Sequence, residues 1–406
     1  MPWTEEDLNA QNDGDDFGRL VALVSTGRAS SRSELARLSG LSRSTVSQRL
    51  DTLLRKQLLV ETGDGPSTGG RRPVLLGLNP AAGLVLAADI GVSHCRLAVT
   101  DLGGQVQAQL ADALDIAAGP RAVLSWVIAG FERLLGEVGR DPKDVRAIGL
   151  GVPGPVEFTS GTVVRPPIMP GWDGVVVPEM FEERFGVPTL VDNDVNVMAL
   201  GEYWKGGHRS RQLLVVKVST GIGCGIISHG TLHRGADGAA GDIGHVRVAG
   251  ADETICECGN HGCLEAVASS RAIASRLRAE GLPVRTALDV VKLAQSGEPR
   301  VLREVRAAGQ RIGEVLAALV IFYNPDTILI GGGLAELGNE LLAAIRGVIY
   351  ERALPLATRR LTIRATSLGR LSGVSGAAVL ARQHALSSQA VFRWVTGLSP
   401  LEESFA

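Results

Sequence analysis

A disulfide-stapled architecture is the first thing this sequence excludes, because it has only five cysteines in 406 residues, and such frameworks belong to short, cysteine-dense secreted chains. It has no run of about 18 apolar residues, the minimum for a helix that crosses a bilayer. The opening MPWTEEDLNAQNDGDD carries six carboxylates and no basic residue, the reverse of a basic-then-apolar secretory leader. We therefore expect a cytoplasmic protein with reduced thiols. Aromatic residues are sparse at 4 %, and there is almost no excess charge, −2 overall. An affinity for a polyanion must then reside in one segment.

Such a segment is present. Over residues 17–80 ten basic residues stand against four acidic ones. Phe17, Leu20, Val21 and Val24 share one helical face. A second helix is expected from Ser33, whose hydroxyl would cap SELARL, and Gly40 turns the chain in LSGLS. Ser42 caps a third helix, RSTVSQRLDTLLRKQ, with Val46, Leu50, Leu53 and Leu54 inward. Arg43, Ser44, Thr45, Ser47, Gln48 and Arg49 are left on or near its outer face. They suit base edges in a major groove. Residues 58–60 and VLLGLN read as strands joined by TGDGPSTGGRRP, a wing that would offer Arg71 and Arg72 to phosphates or a minor groove. The reading is a winged helix-turn-helix over 17–80 behind an acidic tail, 1–16; a helical adaptor with a solvated basic face is the alternative.

Beyond residue 80 the character changes. Hydrophobic content of 45 % and charged content of 21 % support sizeable cores, and the length suggests two or three domains. The 51 glycines cluster in turns between apolar runs, a pattern of α/β proteins. GLVLAADIGVSHCRLAVTDLGGQVQAQL reads as three strands, with Asp89 closing the first. A helix over 120–138 precedes IGLGVPGPV, and TLVDNDVNVMALGEYW runs from strand into helix with Asp192, Asn193, Asp194 and Asn196 at the junction. LLVVKVSTGIGCGIISHGTLHRG then repeats the opening pattern. Two similar halves predict a duplicated body with a cleft between them.

The scarce thiols are concentrated in CECGNHGCLE, which holds Cys256, Cys258 and Cys263. Reduced thiols at this spacing suit zinc, which takes four ligands. His245, eleven residues earlier, ranks first as the fourth, ahead of His261, which would share a very short turn with two thiolates. Four protein ligands leave no open position, so the site is read as structural; a set of buried free cysteines is the bland reading.

ADIG, GVPGPV, DNDVN, STGIGCGI, GDIGH, the cysteine cluster ending in Glu265, and ILIGGG follow one another in an order that resembles the ROK family of sugar kinases and sugar-responsive repressors, over roughly residues 84–382. The head with its GGRRP wing resembles the winged helix-turn-helix of the family's regulators. The resemblance implies an α/β, actin-like, two-lobed ATPase-type body (a duplicated ribonuclease H-like fold) over 81–382, with a structural Zn2+ in the loop 245–265 and a homodimer or homotetramer. It implies sugar contacts from Asn193, Asp194, Asp242, His245 and Glu265, with Asp194 the catalytic base if the chain is a kinase. A vestigial nucleotide site is implied at Asp89, Gly91, Thr220, Gly221 and Gly332. Several positions depart from the family pattern: Asp242 stands for a usual glutamate, Ile168 for a sugar-binding asparagine, and Val92, Ser219 and Cys224 interrupt the small turns of the nucleotide side.

The expectation is a DNA-binding regulator of carbohydrate genes, a repressor without enzymatic activity, whose partners are a double-stranded operator and a sugar or sugar-derived effector. The alternative is an ATP-dependent sugar kinase with an appended DNA-binding head, favoured by Asp194 and opposed by Val92 and Ser219. A third is a zinc-stabilised scaffold for a phosphotransferase protein. Residues 383–406 are read as a C-terminal tail without a motif, whose valine, phenylalanine and tryptophan can dock on the body or a neighbour.

Overall fold

The computed structural model describes residues 16–65, 72–208, 210–399 and 401, so the expectation for Arg71 lies outside the described residues. The head comprises α1 (Asp16–Ser25), α2 (Arg32–Ser39), α3 (Arg43–Arg55) and an antiparallel pair, β1 (Leu59–Asp64) and β2 (Val74–Leu78). Ser42 caps α3 as expected. The cap of α2 is Ser31 and not Ser33. Glu34 falls three residues after Ser31, and its carboxylate accepts from the Ser31 and Ser30 amides at 3.1 and 2.8 Å, completing a reciprocal capping box.

The body is built from two halves of the same plan. The first runs β3 (Leu84–Ile90), β4 (His94–Asp101), β5 (Val106–Ala113), α4 (Pro120–Glu137), β6 (Val145–Val152), a short hairpin of β7 (Val156–Glu157) and β8 (Thr162–Val163), α5 (Pro178–Phe185), β9 (Thr189–Asn193) and α6 (Asp194–Trp204). The second runs β10 (Gln212–Val218), β11 (Ile222–Ser228), β12 (Thr231–His233), α7 (Leu264–Ala268), α8 (Ser270–Ala279), α9 (Ala287–Gln295), α10 (Pro299–Tyr323), β13 (Thr327–Gly331), α11 (Asn339–Arg352), α12 (Pro355–Thr358), β14 (Thr362–Ala365) and α13 (Ser372–Ala385), after which α14 (Ser388–Thr396) follows. The sheet orders are β5-β4-β3-β6-β9 and β12-β11-β10-β13-β14. In each, three strands form an antiparallel meander and two join in parallel, because a parallel neighbour needs a helical crossover, here α4 and α5 or α10 and α11. The duplicated body expected from the repeated strand–turn–strand pattern, and the actin-like fold that the resemblance implies, are what the chain adopts.

The two halves meet where α6 crosses α13. A β-carbon on Gly376 would overlap the Val197 carbonyl, and one on Gly201 would come within 2.9 Å of the Gly376 nitrogen, so only glycine lets the two backbones touch. Beside this crossing, the fully buried Glu202 accepts hydrogen bonds from Ser367 N (2.9 Å), Leu368 N (3.0 Å) and the Ser372 hydroxyl (2.6 Å), fastening α6 to the start of α13. Burial works to raise the Glu202 carboxyl, but these hydrogen bonds outweigh it and hold it below the ordinary range.

From that anchor α13 runs about 21 Å at 1.5 Å per residue. It begins at the cleft, where the Asp89 carboxyl packs directly on Gly373. At its end Ala381, Ala385 and the following Leu386 share one apolar core with Leu20, Leu35, Leu50 and Leu53 of the head and with Val85, Leu102 and Ala147 of the first half. The boundary drawn at residue 383 falls inside α13. The segment after it forms α14, which packs on α1 so closely that Gly18 has no room for a β-carbon beside Ser388. Val391 is buried in the head core, and Trp394 lies 4.0 Å beneath the guanidinium of Arg146 from β6.

Candidate functional sites: cleft, thiol knuckle and head

On the head, Arg43, Ser44 and Gln48 are exposed on the first turns of α3, with Thr45 beside them. Two other residues expected on that face are held inward. Ser47 accepts a hydrogen bond from Arg32 (3.1 Å), and Arg49 folds back over the Phe17 ring at 4.8 Å and donates to Asp16. Arg72 is exposed where the chain enters β2. The surface available to a groove is therefore narrower than the sequence suggested.

In the cleft, β9 ends on Asn193, which caps α6. Its amide oxygen accepts from Val195 N (2.9 Å) and its amide nitrogen donates to the Gly154 carbonyl (3.0 Å). The same side chain thus caps the helix and ties the DNDVN junction to the GVPGPV turn. Asp192 is buried and accepts from Asn196 (2.8 Å) and Arg234 (2.7 Å), whose guanidinium lies over Phe158.

Asp194, in the first turn of α6, is almost fully buried, and one carboxylate oxygen sits 2.6 Å from the ammonium of Lys217 on β10. Burial works to lower the Lys217 ammonium, but Asp194 and Asp89 outweigh it and hold it above the ordinary lysine range. Burial also raises Asp194 and Asp89, with Lys217 pulling each back. Lys217 was missed by the sequence reading, although a lone charge within the apolar strand QLLVVKV is a detectable signal.

The nucleotide-side residues are spread around this cluster. The His94 ring packs on Gly91, where a β-carbon would collide with it. Gly332 lies against the backbone of Val218, with Thr220 and Gly221 half-buried in the turn. Val92 and Ile168 both pack on the apolar core of the first half.

Burial first, then Lys217 and Arg96, push the His94 imidazole down to about 4 from 6.5. An unfolded chain therefore takes up this proton near pH 6.5, whereas the native one does so only near pH 4, so stability falls as pH drops through that window. With the side chain 40 % exposed, the expected loss is discounted to about 1 kcal/mol. His94→Asn should flatten the urea midpoint between pH 7 and 4.5; an unchanged slope would count against this assignment.

The second half contributes Glu265 and the thiols. Glu265 accepts from Ile222 N at 3.0 Å, so the first turn of α7 holds the STGIG turn in place. Burial is the main reason its carboxyl is raised, and the Ile222 hydrogen bond opposes it. His245 sits at the end of a single turn of 3-10 helix, Ile243–His245. The segment after it forms a knuckle closed by Cys256 N to the Asn260 carbonyl (2.8 Å) and by the bridge between Ile255 and His261.

The knuckle brings ligand atoms of His245, Cys256, Cys258 and Cys263 within 4.8 Å of one another, while His261 stays exposed outside the group. A tetrahedral ion with ~2.3 Å bonds to sulfur needs edges of about 3.8 Å. Cys258 Sγ to Cys263 Sγ is 3.8 Å and Cys256 Sγ to His245 Nδ1 is 3.7 Å. The four residues fit such a cation. The other imidazole nitrogen faces Asp242 at 3.8 Å. Cys95 and Cys224 are buried strand residues, and burial holds both thiols above their ordinary range.

Comparison with known proteins places this geometry. The xylose repressor of Caldicellulosiruptor bescii is 32 % identical over 360 residues, covering 84 % of this chain and 90 % of that one. The crystal structure of a ROK family transcriptional regulator, a homologue of the E. coli MLC protein, superposes with a TM-score of 0.80 at 24 % identity, covering 95 % of this chain and 99 % of that chain; at that identity the likeness is one of fold. A ROK family glucokinase from Streptomyces griseus, solved with glucose and AMPPNP, superposes with a TM-score of 0.66 at 29 % identity and covers 74 % of this chain and all (100 %) of that one. The ROK family model matches residues 85–384. The chain belongs to the ROK family.

Proposed function

We propose that this protein is a sugar-responsive transcriptional repressor of carbohydrate genes, in which a sugar or sugar derivative in the cleft alters how the head meets its operator. The observation that carries the reading is α13, one helix that starts against Asp89 and Glu202 and ends in the apolar core that the head shares with the first sheet. A ligand that draws the halves together moves that helix, and only a difference in affinity between the two arrangements turns this into a switch. The repressor relative supports it.

Asn193, Asp194, Asp242, His245 and Glu265 are the residues we assign to the sugar. Asp194 keeps one carboxylate oxygen for a hydroxyl while Lys217 holds the other. Burial leaves the Asp194 carboxyl above its ordinary range although Lys217 pulls it down, so what opposes the kinase reading is Val92 and Ser219 on the nucleotide side. Zinc is the cation we assign to His245, Cys256, Cys258 and Cys263; it completes a closed site and keeps the loop carrying Glu265 rigid. Among the described residues no helix is long and apolar enough to cross a membrane.

One recognition helix reads few base pairs, so two heads are needed about one DNA turn apart. For the second copy we favour the strip at the ends of α10 and α11, where Phe322 is 91 % and Leu354 72 % exposed, with Ile321 and Leu356 nearby in sequence. Phe322→Asp should shift the protein to monomer by light scattering and abolish tight operator binding; an unchanged mass removes this face from consideration.

The direct test titrates the protein against the DNA upstream of its own gene, at fixed salt, with a panel of monosaccharides and amino sugars. Specific binding released by one sugar supports the reading, and absence of specific binding rejects it. Arg43→Ala should cost about 1–3 kcal/mol and relax preference at one base position, whereas Arg72→Ala should weaken all sequences alike and reduce the salt slope by about one.

A further inference from the structure

A second cavity lies away from the sugar cleft, where the β4–β5 turn, the end of α6 and the C-terminal half of α13 meet. It measures about 160 Å³, and its lining includes Thr100, Gly104, Trp204, Lys205, Val379 and Arg382. Two cations line it, Lys205 exposed and Arg382 half-buried. Lys205 donates to the Gly104 carbonyl at 2.7 Å and Arg382 to the Leu102 carbonyl, and among the described residues neither has a carboxylate within 4.0 Å. The nearest acid, Asp101, already spends one oxygen on Gln105 N and the other on the Gln107 amide, each at 2.9 Å. Thr100 is 2 % exposed, and its hydroxyl has no hydrogen-bond partner.

A buried hydroxyl without a partner costs stability, and a half-buried guanidinium, Arg382, whose nearest acid lies beyond ion-pair distance costs more. Burial lowers both cations from their ordinary values, Arg382 adds to the effect on Lys205, and Asp101 opposes it at both. All three residues line one cavity. We infer that this cavity is a binding site for a small oxyanion, a phosphate ester or carboxylate metabolite whose oxygens accept from Lys205, Arg382 and the Thr100 hydroxyl. Its volume is below the ~300 Å³ at which pockets take drug-sized ligands, which favours a short molecule over a nucleotide. Trp204, Ala378 and Val379 supply an apolar wall for its carbon body. An anion here bridges the first sheet, α6 and the stretch of α13 between cleft and head, so it would act on the helix that we assign to signalling while leaving the sugar residues untouched.

The test is calorimetric titration of the full-length protein with inorganic phosphate, and separately with acetate, at constant ionic strength balanced by chloride. One saturable site per chain is expected for at least one probe, and which probe binds separates phosphate from carboxylate recognition. Lys205→Met should weaken it about tenfold or more through loss of a charge-assisted hydrogen bond. Thr100→Val gives the more discriminating result. Removing an unpartnered buried hydroxyl should leave Tm unchanged or higher while weakening the anion severalfold, a pairing that general damage to the fold does not produce. Absence of saturable binding below about 10 mM, or equal affinities in the wild type and both variants, overturns the proposal.

Discussion

Lys217→Met should destabilise the protein by about 3–5 kcal/mol, the cost of leaving a buried charge without its partner. The Lys217 and Asp194 side chains are only 18 % and 7 % exposed and lie 2.6 Å apart, and the Asp89 carboxyl is buried within reach of the same ammonium's field. Methionine keeps the length of the stem and removes only the charge. Asp194 and Asp89 are then two buried acids with no cation between them, and at least one must take up a proton. Adding Asp194→Asn should recover most of the loss, because it removes the charge that Lys217→Met stranded, and the double-mutant cycle isolates the pair's coupling. Urea unfolding of the four proteins is the measurement. A single-mutant loss below about 1 kcal/mol would mean the pair is screened like a surface ion pair.

That pair marks the limit of what the sequence disclosed. The thiol knuckle was legible because its four residues lie within 19 positions of each other, His245 to Cys263, so local chain geometry brings them together. The strands of both halves were legible from apolar runs bounded by glycine turns, and the Ser42 cap from its place before a periodic segment. The cap at Ser31 was legible too, since Glu34 three residues on is the stronger signal than a serine alone, and the reading passed over it.

What sequence order conceals is the pairing of distant residues. Glu202 meets Ser367 and Ser372 across more than 160 positions, and Arg382 reaches Leu102 across 280. No local pattern encodes those meetings. They follow from the way the duplicated halves pack, which sends α13 from the second half back onto the sheet of the first and then into the head. Arg49 belongs to the same class: on a helical wheel it lies near the outer face, but Phe17 and Asp16 of α1 draw it inward. The terminal stretch carried no readable motif because α14 is held by partners far back in the chain, Gly18 and Arg146.

Stripping the metal from the thiol knuckle should have the other large effect. Structural zinc supplies about 10–16 kcal/mol of apparent binding free energy where it organises a small peptide. Here the surrounding body holds part of the geometry already, so we expect several kcal/mol, enough to release residues 245–265. The loss spreads because Glu265 fixes the STGIG turn through Ile222 N and stands in the first turn of α7 immediately after Cys263. Without a cation, burial and the neighbouring thiols push the Cys263 thiol up to about 12, so three thiolates do not persist together there unless a positive ion offsets them. Elemental analysis should find one zinc per chain, and a strong chelator should lower Tm and weaken sugar-dependent release of the operator together. Cys263→Ser should reproduce both effects, and His261→Ala should reproduce neither, since His261 lies outside the ligand group. A chelated, metal-free protein that kept its Tm and its full response to sugar would show that the knuckle folds on its hydrogen bonds alone and would remove zinc from the account of the cleft.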